Sequence, residues 1–108
     1  MDKNEEFNRH VLNFNNRFNN IVSKINNTFA VDLSYSKVKA EKHESYGSFL
    51  NSYVDKASSD IQQLLIELIK QLKQRNLLNN LKADVDSAFS WRNIDDVLTD
   101  IENKLDKY

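Results

Sequence analysis

No proline interrupts the 108 residues, and the only glycine is Gly47. Proline breaks helices, and glycine supplies the positive φ of tight turns. A chain almost free of both has little to stop a helix and few means of reversing sharply. The composition therefore predicts long helices, and the order of the apolar residues says where they run.

From Phe7 to Phe29 the chain reads FNRHVLNFNNRFNNIVSKINNTF. So much asparagine suggests a low-complexity tract, but the apolar residues keep phase. Phe7, Val11, Phe14, Phe18, Ile21 and Ile25 are spaced alternately four and three apart. That is the stripe of a helix laid along another helix. Asn13, Asn20 and Asn27 recur every seven residues on the outer face, with Asn19 and Asn26 beside them. Asn costs a helix roughly 0.5–0.7 kcal/mol against Ala at an exposed site, so this helix depends on packing.

Two further stripes follow. Tyr46, Phe49, Leu50, Tyr53, Val54, Ala57, Ile61, Leu64, Leu65, Leu68, Ile69 and Leu72 hold helical phase, predicting a helix over about 46–76, roughly 46 Å long. Ser59 with Gln62 forms a capping-box pattern that would break or bend it near Ser58. Asn76, Asn79 and Asn80 supply turn residues. Leu81, Val85, Ala88, Ile94, Leu98, Ile101 and Leu105 then form a third stripe over about 80–106, with Ser90 restarting the helix after a kink near Phe89 and Trp91.

Residues 31–45 connect the first two helices. Val31, Leu33 and Tyr35 alternate with Asp32 and Ser34, which fits an extended strand. Nothing else in the chain offers that strand a partner. The segment is therefore an ordered connection, or an edge that pairs with another protein.

The expected fold is all-α: one domain over 1–108, with a helix at about 4–30, a connector and two more helices. Three blocks of similar length favour an antiparallel up-down-up bundle. Kinks in the middle and last helices would divide it into four or five segments. A chain of this length can bury a core without staples.

Composition excludes much chemistry. There is no cysteine, so disulfides, thiolates and cysteine-held metals are out. His10 and His43 are the only histidines, and neither has a second His at metal-binding spacing. The D-x-D at Asp84 starts like a calcium loop, but Ala88 and Phe89 stand where an oxygen ligand and glycine belong. A lone glycine rules out phosphate-cradling loops. No catalytic residue, metal or cofactor is expected, and the chain does not read as an enzyme.

Net charge is −1, so general attraction to nucleic acid or acidic membrane is not expected. Residues 34–82 carry eight Lys/Arg against five acids, and residues 83–108 carry three against seven. These regions would attract one another within a bundle. The polar start MDKNEEF predicts no cleavable secretory leader. The cytoplasm is the expected compartment, with leaderless export as the alternative. Heavy use of Asn, Lys, Ile and Phe suggests an AT-rich coding sequence from a low-GC bacterium, its phage or plasmid, or an AT-rich eukaryote.

The aromatic residues are the candidate partner interface: Phe7, Phe14, Phe18, Tyr35, Tyr46 and Trp91 lie on or beside the stripes. Aromatics left partly bare favour interfaces. The expected function is a non-enzymatic interaction module: an adaptor, assembly subunit or inhibitor acting by helix-to-helix contact with another protein or its own copy. Two alternatives rest on size and class alone. Small bacteriocin immunity proteins are helical bundles near this length, with no shared motif. The other is a small exported helical protein of the WXG100 kind or a helper of the same secretion system; that kind carries a W-x-G turn, whereas Trp91 here precedes Arg92 and Asn93.

Overall fold

The computed structural model describes residues 3–40, 48–81, 85 and 89–108. Three helices form among them: α1 (Lys3–Phe29), α2 (Ser48–Gln74) and α3 (Trp91–Leu105). No strand appears among the described residues. Each of the first two helices has 27 residues, or about 40 Å at 1.5 Å per residue. The molecule is 45 Å along its longest axis.

The α1 stripe faces inward. Val11, Phe14, Phe18, Ile21 and Ile25 are buried, and Phe7 packs half-buried at the end. They meet Ala57, Ile61, Leu65, Leu68 and Leu72 of α2 and Ile94, Leu98, Ile101 and Leu105 of α3 in one core. Each large side chain contributes about 1.5–3 kcal/mol by leaving water. Asn13, Asn19, Asn20 and Asn27 are exposed as the heptad reading of the Asn-rich stretch has them, whereas Asn26, read beside them, is part-buried against Leu33.

Contacts along the bundle fix the direction of each helix. At the start of α1, Phe7 meets Trp91 at 5.4 Å between ring centroids. Farther along, Arg17 reaches Thr99 and Glu102. Then Lys24 pairs with Asp106, and Phe29 packs on Tyr108. Both helices advance together. The second helix does the same. Tyr53 near its start packs on Phe7 and donates to Asn8, while Leu77 just past its end accepts from Tyr108, the neighbour of Phe29. All three helices run the same way.

The expected antiparallel up-down-up order is therefore corrected. It rested on similar helix lengths, which suit either direction. The connections decide. Residues 30–47 and 75–90 separate the helices, and at about 3.3 Å per extended residue either run can retrace the bundle. The first does so along α1: Leu33 bonds Asn26, Tyr35 packs on Phe18, and Val38 bonds Asn15. In the second, Asn80 accepts from Lys104, Val85 from Gln62, and Phe89 meets Trp91.

The third helix is also shorter than expected. It spans Trp91–Leu105 rather than about 80–106, and Ser90 is its N-cap, its hydroxyl accepting from the Asn93 amide at 3.2 Å. Leu81 is half-buried and Val85 buried, both at non-helical positions, so they mimic a helical stripe. The preceding turn matches its residues. Asn76 is left-handed with φ 52, its amide donates to Lys73 O, and Leu77 N donates to Leu72 O. This is a Schellman C-cap. The second helix is continuous in secondary structure through Ser58.

Ala30, which turns the chain out of α1, is also left-handed, with φ 54. A Cβ there costs about 1–2 kcal/mol. Glycine removes that clash but loses about 0.5–1 kcal/mol through unfolded-state entropy. Ala30→Gly is therefore expected to stabilise by about 0.5–1 kcal/mol, read as a rise in the thermal midpoint of several degrees. An unchanged or lower midpoint would show that Ala30 is not strained.

Candidate functional site

The sequence-predicted aromatics divide into two groups. Phe14 and Phe18 stack at 5.3 Å and are 2% and 5% exposed. They belong to the core. Tyr35 is half-buried, edge-on to Phe18 at 5.5 Å. Burial first, then the nearby charge of Glu67, raises its hydroxyl pKa above the ordinary value, with Arg75 opposing. Tyr46 lies outside the described residues.

Phe7 and Trp91 come together at the end where all three helices begin. Phe7 packs edge-on to Tyr53 at 5.5 Å and tilted against Trp91. Trp91 stacks with His10 at 4.8 Å and 19°, and takes Phe89 edge-on at 4.9 Å. Sequence spacing did not reveal that His10, Tyr53 and Phe89 would join this cluster, because they come from three separate segments. Parallel helices bring them to one end. His10 is exposed, so its ring shields one face of the indole while staying in water. His43 lies outside the described residues.

Beside this cluster a cleft of ≈ 400 Å³ runs between α1 and α3. Phe14, Ile94 and Leu98 line its apolar part, Trp91 borders it, and His10, Asn13, Arg92 and Asp95 supply polar lining. Phe14, Ile94 and Leu98 are each only 2% exposed, so the accessible lining is mainly Trp91 and the polar groups.

Arg17 holds the two helices in register below the cleft. Its Nη2 donates to Glu102 Oε1 at 2.6 Å and to Thr99 Oγ1 at 3.1 Å, its Nε donates to Glu102 Oε2 at 3.4 Å, and Nη1 reaches Asp95. The hydrogen bond to Glu102, then the charges of Glu102 and Asp95, raise the guanidinium pKa, against partial burial. Asp95 and Glu102 of α3 are thus met by Arg17 of α1, and Asp106 at its C-cap by Lys24. Arg17→Met is expected to cost about 1–2 kcal/mol, because the bidentate pair is partly sheltered. Urea titrations should show that loss at low salt and a smaller one in 1 M NaCl. A salt-independent loss would assign the effect to packing.

On the other flank of α1, two asparagines hold the returning chain by its backbone. Asn15 Nδ2 donates to Val38 O at 2.8 Å, and Val38 N donates to Asn15 Oδ1 at 3.0 Å. Asn26 does the same with Leu33, at 2.9 Å in each direction. Asn15 is 8% exposed. The seven-residue series of Asn drew attention to the outer face and away from Asn15. Its position beside Phe14, on the flank that also buries Val22, was the available signal.

Among the described residues, no group of three or more His, Asp or Glu side chains is placed to hold a metal ion. No described helix is long and apolar enough to cross a membrane. Compared with known proteins, the chain matches no family model, no curated protein and no solved structure.

Proposed function

We propose that this chain is a non-enzymatic helical interaction module, a single domain over 1–108 that acts as an adaptor, assembly subunit or inhibitor. The observation that supports this reading is the aromatic end of the bundle. Trp91 is half-buried, stacked under an exposed His10, and borders the cleft between α1 and α3. Tryptophan in such a setting is a frequent anchor of binding energy. Of the aromatics picked from the sequence, Phe7, Tyr35 and Trp91 remain candidates for partner contact. Phe14 and Phe18 support the surface from within.

The partner is another protein or a second copy, engaged through Trp91 at the cleft. Affinity purification from the native host followed by mass spectrometry tests this. Wild type should co-purify with a partner, or self-associate, and Trp91→Ser should lose that partner with an unchanged circular dichroism spectrum. A wild-type monomer that captures nothing, or a partner retained by Trp91→Ser, would count against the reading.

A further inference from the structure

The flank of α1 under residues 31–40 has the features of a peptide-binding groove. Asn15 and Asn26 are eleven residues apart, three helical turns, so their side chains leave the same flank about 16 Å apart. Leu33 and Val38 are five residues apart, and five extended residues also span about 16 Å. The two spacings coincide, and each asparagine amide pairs with both backbone groups of one residue. That pairing reads extended backbone whatever the side chain. Specificity comes from the two aliphatic anchors, Leu33 at 8% and Val38 at 5% exposure.

The occupying segment is held by the two asparagines and by the packing of Val31, Leu33, Tyr35 and Val38. Among the described residues, no backbone-to-backbone hydrogen bond joins 31–40 to the rest of the protein. In a regular strand, residues five apart turn their backbone groups to opposite edges. Leu33 and Val38 both address α1, so the chain makes a half-twist over Ser34–Lys37. There it arches over a space of ≈ 140 Å³ whose lining includes Asn19 and Ser23. Its entry residue, Ala30, sits in a left-handed conformation that resists the reversal.

We infer that residues 31–40 are a displaceable self-ligand, and that the groove accepts an extended segment of a partner protein carrying two aliphatic side chains five residues apart. The seated segment itself shows which chemistry fits. Such a partner would compete with the chain's own strap, so its apparent affinity is set by how often the strap opens. This inference rests on the proposed function only in that the chain acts by protein contact, although Tyr35, a candidate contact there, lies in the strap. It uses the flank of α1 away from Trp91.

Two measurements on the whole protein test it. In native-state hydrogen exchange, the Leu33 and Val38 amides should exchange at least a hundredfold faster than core amides of α1 such as Ile21. A fluorescein-labelled peptide of residues 31–40, VDLSYSKVKA, should bind wild type by anisotropy, and at least tenfold tighter to Val38→Ala, whose own strap is weakened. Binding should fall at least tenfold in Asn15→Leu, vanish when both peptide anchors are serine, and be unaffected by Trp91→Ser. Exchange of Leu33 and Val38 only at the rate of the α1 core overturns the inference, whatever the variants do. So does a helical Val38→Ala protein that binds the peptide no better than wild type. Normal peptide binding by Trp91→Ser that has lost its cellular partner separates this groove from the aromatic end.

Discussion

A protein carrying both Phe14→Asp and Phe18→Asp is expected to lose its helical circular dichroism signal at 25 °C. The two rings are stacked and almost fully buried. Removing a buried Phe costs about 3–5 kcal/mol, and leaving a carboxylate in its place adds several kcal/mol per ion. The sum reaches or exceeds the roughly 5–15 kcal/mol that holds a domain of this size together. If the double variant kept its helicity and lost only a binding partner, Phe14 and Phe18 would be interface and not core. A Trp91→Ser protein, altered at a half-buried site, is the folded counterpart.

The second large effect is expected at an asparagine. Asn15→Leu preserves side-chain size and improves helix propensity by roughly 0.5 kcal/mol, so packing and propensity alone predict a neutral or favourable change. Yet Asn15 satisfies both backbone groups of Val38, which is itself buried. Each group left unpaired costs about 1–3 kcal/mol. We expect a net loss of about 2–4 kcal/mol, measured as a lower urea midpoint with an unchanged slope. Asn26→Leu should lose less, since Asn26 is more exposed and water can replace it. An Asn15→Leu protein within 0.5 kcal/mol of wild type would mean that Val38 finds other partners.

The sequence carried the local rules well and the global ones poorly. The α1 stripe, the Ser90 cap and the left-handed Asn76 each follow from a few neighbouring residues, and each is where spacing and residue type place it. Helix direction is different. A stripe of apolar residues every three or four positions buries equally well against a parallel or an antiparallel neighbour, so Phe7 could not announce that it would meet both Tyr53 and Trp91. The start of the third helix differs from its stripe for a related reason. Leu81 and Val85 touch the core at intervals a helix would also give. The candidate site was half legible. Trp91 was identified from residue type, but its neighbours His10 and Phe89, and the asparagine clamps, depend on contacts made across the fold.

The common direction of the helices bears on how the chain finds its structure. An antiparallel helical hairpin closes after a turn of a few residues, and its contacts are nearly local. Here Tyr53 meets Asn8 across 45 residues, and Arg17 meets Glu102 across 85. No two helices can dock until a whole connection has been laid back along the bundle, and that loop entropy is lost before docking repays it. The chain should therefore fold on the milliseconds-to-seconds scale of sheet proteins, not the microseconds of simple helical bundles. Trp91 opens the last helix in the chain and packs on Phe7 of the first, so its fluorescence reports their docking.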